Sequence, residues 1–190
     1  EGSAEISGGI ITVPWEKNLC LCSGASWGWM ENDPVQPLSW LIRMLVNVIC
    51  RDGNILWNIA PARNGKLSGE VHARIREFGA WIRENGEAIY GTRGGPLEPV
   101  DGVFGTVFNK NTVYLHILDG KRFSGMAVGP FPGLVLSVQR MDGQDIKYTV
   151  ADGMLHADIS DTTFSTDTIL KLTLDREITP VVSDVYFTGK

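Results

Sequence analysis

Leu45-Val46-Asn47-Val48-Ile49-Cys50-Arg51-Asp52-Gly53-Asn54-Ile55-Leu56-Trp57-Asn58-Ile59-Ala60-Pro61 holds the end of one element, a turn and the whole of the next. The run from Leu38 to Arg51 is apolar almost all round, which predicts a helix covered on most sides. Asp52-Gly53 stops it. Asn54 to Ala60 is a short, nearly continuous apolar strand, the pattern of a parallel strand buried on both faces. Pro61 to Lys66 then reads as a turn.

The same alternation extends to both sides. Trp15 to Cys22 reads as a strand with Leu19 and Leu21 on one side and Cys20 and Cys22 on the other. Gly24 to Pro37 is a loop rich in Gly, Pro, Asn and Asp. Downstream, Ser68 is a candidate N-cap for a helix from Gly69 to Glu84, on which Val71, Ile75, Phe78 and Ile82 share a stripe. Asn85-Gly86 predicts a left-handed stop. Strand, helix, strand, helix makes two βα units. Two such units cannot close a parallel barrel, so an open strand edge is expected, covered by earlier strands or by another chain.

After Gly94-Gly95-Pro96 the helices end. Val113, Leu115 and Ile117 alternate with other residues, as do Leu134, Leu136 and Val138, then Ile146, Tyr148 and Val150, then Leu170, Leu172 and Leu174; Val181 to Phe187 forms a last run. Asp142-Gly143 and Asp152-Gly153 supply turns. Short alternating strands at this spacing indicate an antiparallel sandwich. The expected fold is therefore α/β plus all-β: residues 1–95 as the C-terminal portion of a (β/α)8-like barrel, residues 96–190 as a β-sandwich.

Composition narrows the function. The chain has 190 residues and a net charge of −5 with no basic block, which argues against nucleic acid or an anionic membrane as partner. No apolar run is long enough to span a bilayer. The chain opens at Glu1-Gly2-Ser3 without a Met, and sequence upstream is expected. Cys20, Cys22 and Cys50 are neither a disulfide framework nor a zinc set. No metal or cofactor is expected.

One loop concentrates chemistry. Ser26-Trp27-Gly28-Trp29-Met30-Glu31-Asn32-Asp33 places two indoles beside two carboxylates after a strand, and Trp15-Glu16 opens that strand. Aromatic faces pack on the apolar faces of sugar rings. Glycoside hydrolysis uses paired carboxyl groups, about 5 Å apart in retaining enzymes. The plainer reading is packing indoles and solvated loop charges. Asn58, polar within an apolar strand, faces either the pocket or a core amide partner. Glu87 and Arg93 read as a structural ion pair or surface charges, and His72, His116 and His156 as structural or surface residues.

Four segments together resemble the α-L-fucosidases of glycoside hydrolase family 29. Trp15-Glu16 with Ser26-Trp27-Gly28-Trp29 is similar to their "WE … SWGY" segment. Leu45 to Pro61 is similar to "LV..VS..GNLLLNIGP", and Arg63-Asn64-Gly65-Lys66 to the turn after it, with Asn64 in place of Asp. Gly79 to Arg93 is similar to "GxWLxxNGEAIYGTR". Beyond residue 100 the likeness is architectural. The resemblance implies a retaining exo-glycosidase that removes terminal α-L-fucose from glycans, without metal, at an extracytoplasmic site (secreted, periplasmic or lysosomal). It implies that the Asp nucleophile and the fucose-binding His residues lie upstream, in a missing N-terminal barrel half, so that this chain alone is inactive. The acid/base is assigned first to Glu16, then to Asp33 or Glu31, and Trp27 and Trp29 to the pocket wall. A non-catalytic carbohydrate-binding or interaction fragment is the alternative.

Overall fold

The computed structural model describes residues 6–24, 27–160 and 162–180. The run Val181 to Phe187 and Ser26 lie outside the described residues. Strand β1 (Glu16–Cys20) pairs in parallel with β2 (Asn54–Asn58), in register Glu16 to Asn54 and Cys20 to Asn58. Helix α1 (Leu38–Ile49) makes the crossover. Helix α2 (Gly69–Asn85) follows β2, and the Ser68 hydroxyl caps it by accepting from Val71 N at 3.2 Å.

The left-handed stop expected at Asn85-Gly86 is not used. Gly86 is right-handed (φ −58°) and the chain runs on into a 3-10 turn, Gly86–Ala88, that carries Ala88 into the core; the positive φ falls later, at Gly91. Ending α1, by contrast, Asp52 itself takes the left-handed conformation (φ 61°).

Then come β3 (Arg93–Gly94), β4 (Phe104–Asn109), β5 (Thr112–Ile117), the single turn α3 (Gly120–Phe123), β6 (Val135–Arg140), β7 (Tyr148–Ala151), β8 (Met154–Ala157) and β9 (Thr168–Leu174). An antiparallel sheet runs in the order β3-β4-β5-β9-β6, and β7-β8 is a separate hairpin. Asp152 and Gly153, both at positive φ, make its two-residue turn.

The long sheet is buried on both faces. Phe104, Phe108, Val113, Leu115, Ile117, Leu170, Leu172 and Leu174 point to one core, closed by Phe123, Val128, Ile146, Leu155 and Ile159. From the other face Val107, Tyr114 and Ile169 meet Leu41, Ile42, Leu45, Val46 and Cys50 of α1 and its end. Helix α1 thus lies between the parallel ribbon and the antiparallel sheet, which accounts for its near-uniform apolarity.

Three expectations about strand faces fail. Val150 is exposed, while Ile146 and Tyr148 pack on the core. Leu134 and Leu136 are exposed, while Val135 and Val138 turn inward, because a register shift between Val135 and Ser137 reverses the alternation in β6. Strand β2 is not buried on both faces: Ile55 and Trp57 pack toward the helices, but Leu56 is 51% exposed. Among the described residues β1 is its only sheet partner, and the face that carries Leu56 is open at that residue.

Candidate functional site

Parallel β-strands deliver their chemistry at their C-terminal ends, where the following loops converge. Here those ends are Cys20 to Cys22 and Asn58 to Ala60. With Trp29, Met30, Glu31 and Asp33 from the loop, and Ser68, Glu70 and Val71 from the start of α2, they line a hollow of about 380 Å³.

The loop is built as a narrow arch. Ser23 N donates to Pro34 O at 2.8 Å and Gln36 N to Leu21 O at 2.9 Å, so the two legs run antiparallel. Asp33 Oδ1 accepts from Gly24 N at 2.7 Å and closes the neck. A Cβ at Gly24 would stand 2.6 Å from that oxygen, so only glycine admits the contact. The far leg hangs on β2: Asn58 Nδ2 donates to Trp27 O at 2.7 Å and to Cys20 Sγ at 3.5 Å. Trp27 is 59% exposed and Trp29 39%.

The hollow is acidic. Burial pushes the Cys22 thiol up, and the carboxylates of Asp33 and Glu70 push it further. No Lys or Arg is among the lining residues. Such a lining repels an anion and sets Trp29 beside the carboxylates. No three His, Cys, Asp or Glu side chains converge as a metal site among the described residues.

The structure therefore brings Trp29, Glu31 and Asp33 together and sets Trp27 at the edge through its carbonyl. Glu16 stands at the other end of β1, exposed, and accepts from Asn54 Nδ2 at 2.5 Å. Four residues of strand put it about 13 Å from Cys20. Glu70 was missed in the sequence; its position in the first turn of α2, above the strand ends, is the signal a βα reading offers. Asn58 was seen as an oddity, but not its partners.

A larger hollow, about 770 Å³, opens at the opposite strand ends between Trp15, Trp57, Phe78, Ile82 and Tyr90. Its charged residues pair with each other: Arg93 with Asp52, Nη2 to Oδ2 at 2.5 Å. Glu87 serves the junction instead, accepting from Tyr114 Oη at 2.8 Å and from Lys171. His72 and His156 are exposed, and His116 is buried between Asp167 (2.7 Å) and Ala88 O (3.2 Å).

Comparison with known proteins bears on this geometry. Residues 3–87 match the sequence model of the α-L-fucosidase family. Human plasma α-L-fucosidase is 33% identical over 88 residues, 45% of this chain and 19% of that protein. An α-L-fucosidase of Branchiostoma floridae is 28% identical over 121 residues, 60% of this chain and 26% of its own length. Among solved structures, isoenzyme 1 from Paenibacillus thiaminolyticus superposes with a TM-score of 0.74 at 26% identity, over 85% of this chain and 40% of that one. A Bacteroides thetaiotaomicron α-L-fucosidase gives 0.76 at 19% identity, over 86% and 38%. Fold and sequence together relate the chain to a class of glycoside hydrolase. Within that class, residues 3–87 are similar to the α-L-fucosidase family. It spans about a fifth of the length of the curated relatives it matches. No described helix is long and apolar enough to cross a membrane.

Proposed function

We propose that this chain is the C-terminal part of a retaining exo-α-L-fucosidase acting on fucosylated glycans. Residues 1–95 then contribute the last part of a (β/α)8-like catalytic barrel and residues 96–190 a β-sandwich. The observation that carries the reading is one arch delivering Trp29, Glu31 and Asp33 to a single acidic hollow at the C-terminal ends of two parallel strands.

In this reading the Trp29 ring packs on the apolar side of a deoxy sugar, with Trp27 at the edge of the wall. Glu31 takes the acid/base role, because Asp33 is already engaged at Gly24 and Glu16 stands at the far end of the ribbon. The general acid protonates the leaving oxygen and then, as base, takes a proton from the water that frees the enzyme. The nucleophilic Asp comes from strands outside this chain. The family offers support: a covalent intermediate was trapped in a Bacteroides thetaiotaomicron enzyme with 2-fluoro-fucosyl fluoride in a Glu-to-Gln variant, and a Thermotoga maritima enzyme was solved with fucose. An extracytoplasmic location goes with this reading.

The test joins the upstream barrel strands to this chain. The joined protein should release nitrophenol from an aryl α-L-fucoside, and the 190-residue chain alone should not. Glu31→Ala should lower turnover about 10²- to 10⁴-fold, with azide restoring part of it. Unchanged turnover in that variant, with a loss in Glu16→Ala, would move the acid to Glu16; no activity in the joined protein would overturn the assignment.

A further inference from the structure

Asn58 links β2 to the end of β1 and to the loop of the candidate site. Its backbone carbonyl accepts from Leu21 N at 3.0 Å, holding β1 where that strand passes into the loop. Its side-chain Nδ2 reaches across the sheet to Cys20 Sγ and outward to Trp27 O. Because the Trp27 carbonyl can only accept, the amide orientation is fixed: nitrogen toward the loop, oxygen away from it. Asn58 also lines the hollow with Trp29 and Glu31.

The rest of β2 shows what this position could have held. Ile55 and Trp57 face the helices; Asn54 and Leu56 share the other face with Asn58. An apolar side chain at 58 would satisfy the strand equally well and leave the Trp27 carbonyl without this donor. The arch is also closed at its neck, by Asp33 to Gly24, Ser23 to Pro34 and Gln36 to Leu21, whereas Asn58 reaches the leg bearing Trp27.

We propose that Asn58 is a positioning residue: its amide fastens the indole-bearing leg of the arch to the strand ends, and so fixes where Trp29 and Glu31 meet a ligand. The inference rests on the reading above only for what that ligand is; the fastening itself is a property of this chain without any sugar.

The test uses the 190-residue chain and backbone amide order parameters from nitrogen-15 relaxation. In the native chain the amides of Gly28 to Asn32 should be nearly as rigid as strand, at about 0.85, and in Asn58→Ala they should drop below about 0.6. In α1 they should not change. Asn58→Asp separates the hydrogen bond from packing. A carboxylate would oppose the Trp27 carbonyl at neutral pH, while a protonated carboxyl regains a donor. The rigidity of residues 28–32 should therefore return in Asn58→Asp on acidification and stay lost in Asn58→Ala. An arch equally rigid in all three proteins, or one whose Asn58→Asp form ignores pH, would overturn the proposal. Neither result depends on fucose, whereas failure of the joined protein to cleave a fucoside would leave the fastening intact and remove its proposed purpose.

Discussion

Strands β2 and β9 are both short apolar runs, and in composition they differ little: Asn-Ile-Leu-Trp-Asn against Thr-Ile-Leu-Lys-Leu-Thr-Leu. Their surroundings differ completely. Strand β9 has β5 on one side and β6 on the other, one core beneath Leu170, Leu172 and Leu174, and α1's cluster above Ile169. Among the described residues strand β2 has β1, the helices and, at Asn58, the Trp27 loop, with Leu56 half exposed. One strand is covered on every side and the other is half open. An apolar strand reports what it is built to be covered by, and only the rest of the fold decides whether the cover is present.

This contrast can be put to measurement. The largest effect belongs to β9. Leu170→Ala empties a fully buried site and should cost about 2–5 kcal/mol in urea unfolding. Next comes the seam between halves. A Cβ at Gly105 would lie 2.6 Å from Cys50 Sγ, so Gly105→Ala should cost about 1–3 kcal/mol by prying the sheet from the end of α1.

A smaller effect attaches to Asp52. Burial pushes its carboxyl up, but hydrogen bonds from Arg93 and Gly94 N, with the guanidinium charge, hold it below its ordinary value on balance. A depressed folded value stabilises the protein above the unfolded carboxyl range, and that contribution is lost as pH falls through the folded value. Asp52→Asn keeps a residue that tolerates positive φ. It should lower the urea midpoint at pH 7, and the gap from the native protein should narrow toward pH 3. A constant gap would mean that the loss is one of packing rather than charge. Smallest of all is Leu56→Ala, expected within about 0.5 kcal/mol because its side chain is exposed. A cost near that of Leu170→Ala would mean that something covers β2 in solution, and the contrast between the strands would vanish.

Much of the fold was legible because it depends on near neighbours in sequence. Alternation placed Val113, Leu115 and Ile117, and Leu170, Leu172 and Leu174, on the correct face; Ser68 announced its helix; and Leu19 and Leu21 separated from Cys20 and Cys22 as expected. The failures share a cause. At β6 one irregular step moved burial from Leu134 and Leu136 to Val135 and Val138, and alternation carries no sign of such a step. At Gly86 the glycine was free to be left-handed but the burial of Ala88 drew the chain onward. In the candidate site, residue types were readable in the loop, yet the arrangement was not. That Asp33 turns back to Gly24, that Asn58 reaches Trp27, and that Glu70 arrives from α2 are long-range facts set by how the strand ends meet.

Helix α1 belongs by chain order to the βα part, yet its side chains serve both neighbours. A gene divided near residue 95 would leave one product with Val107 and Ile169 facing water and the other with half of a helix bare. Exchange of the antiparallel part between relatives should therefore succeed only when the α1 surface travels with it, which makes this helix, rather than the Gly94-Gly95-Pro96 link, the natural boundary for recombination.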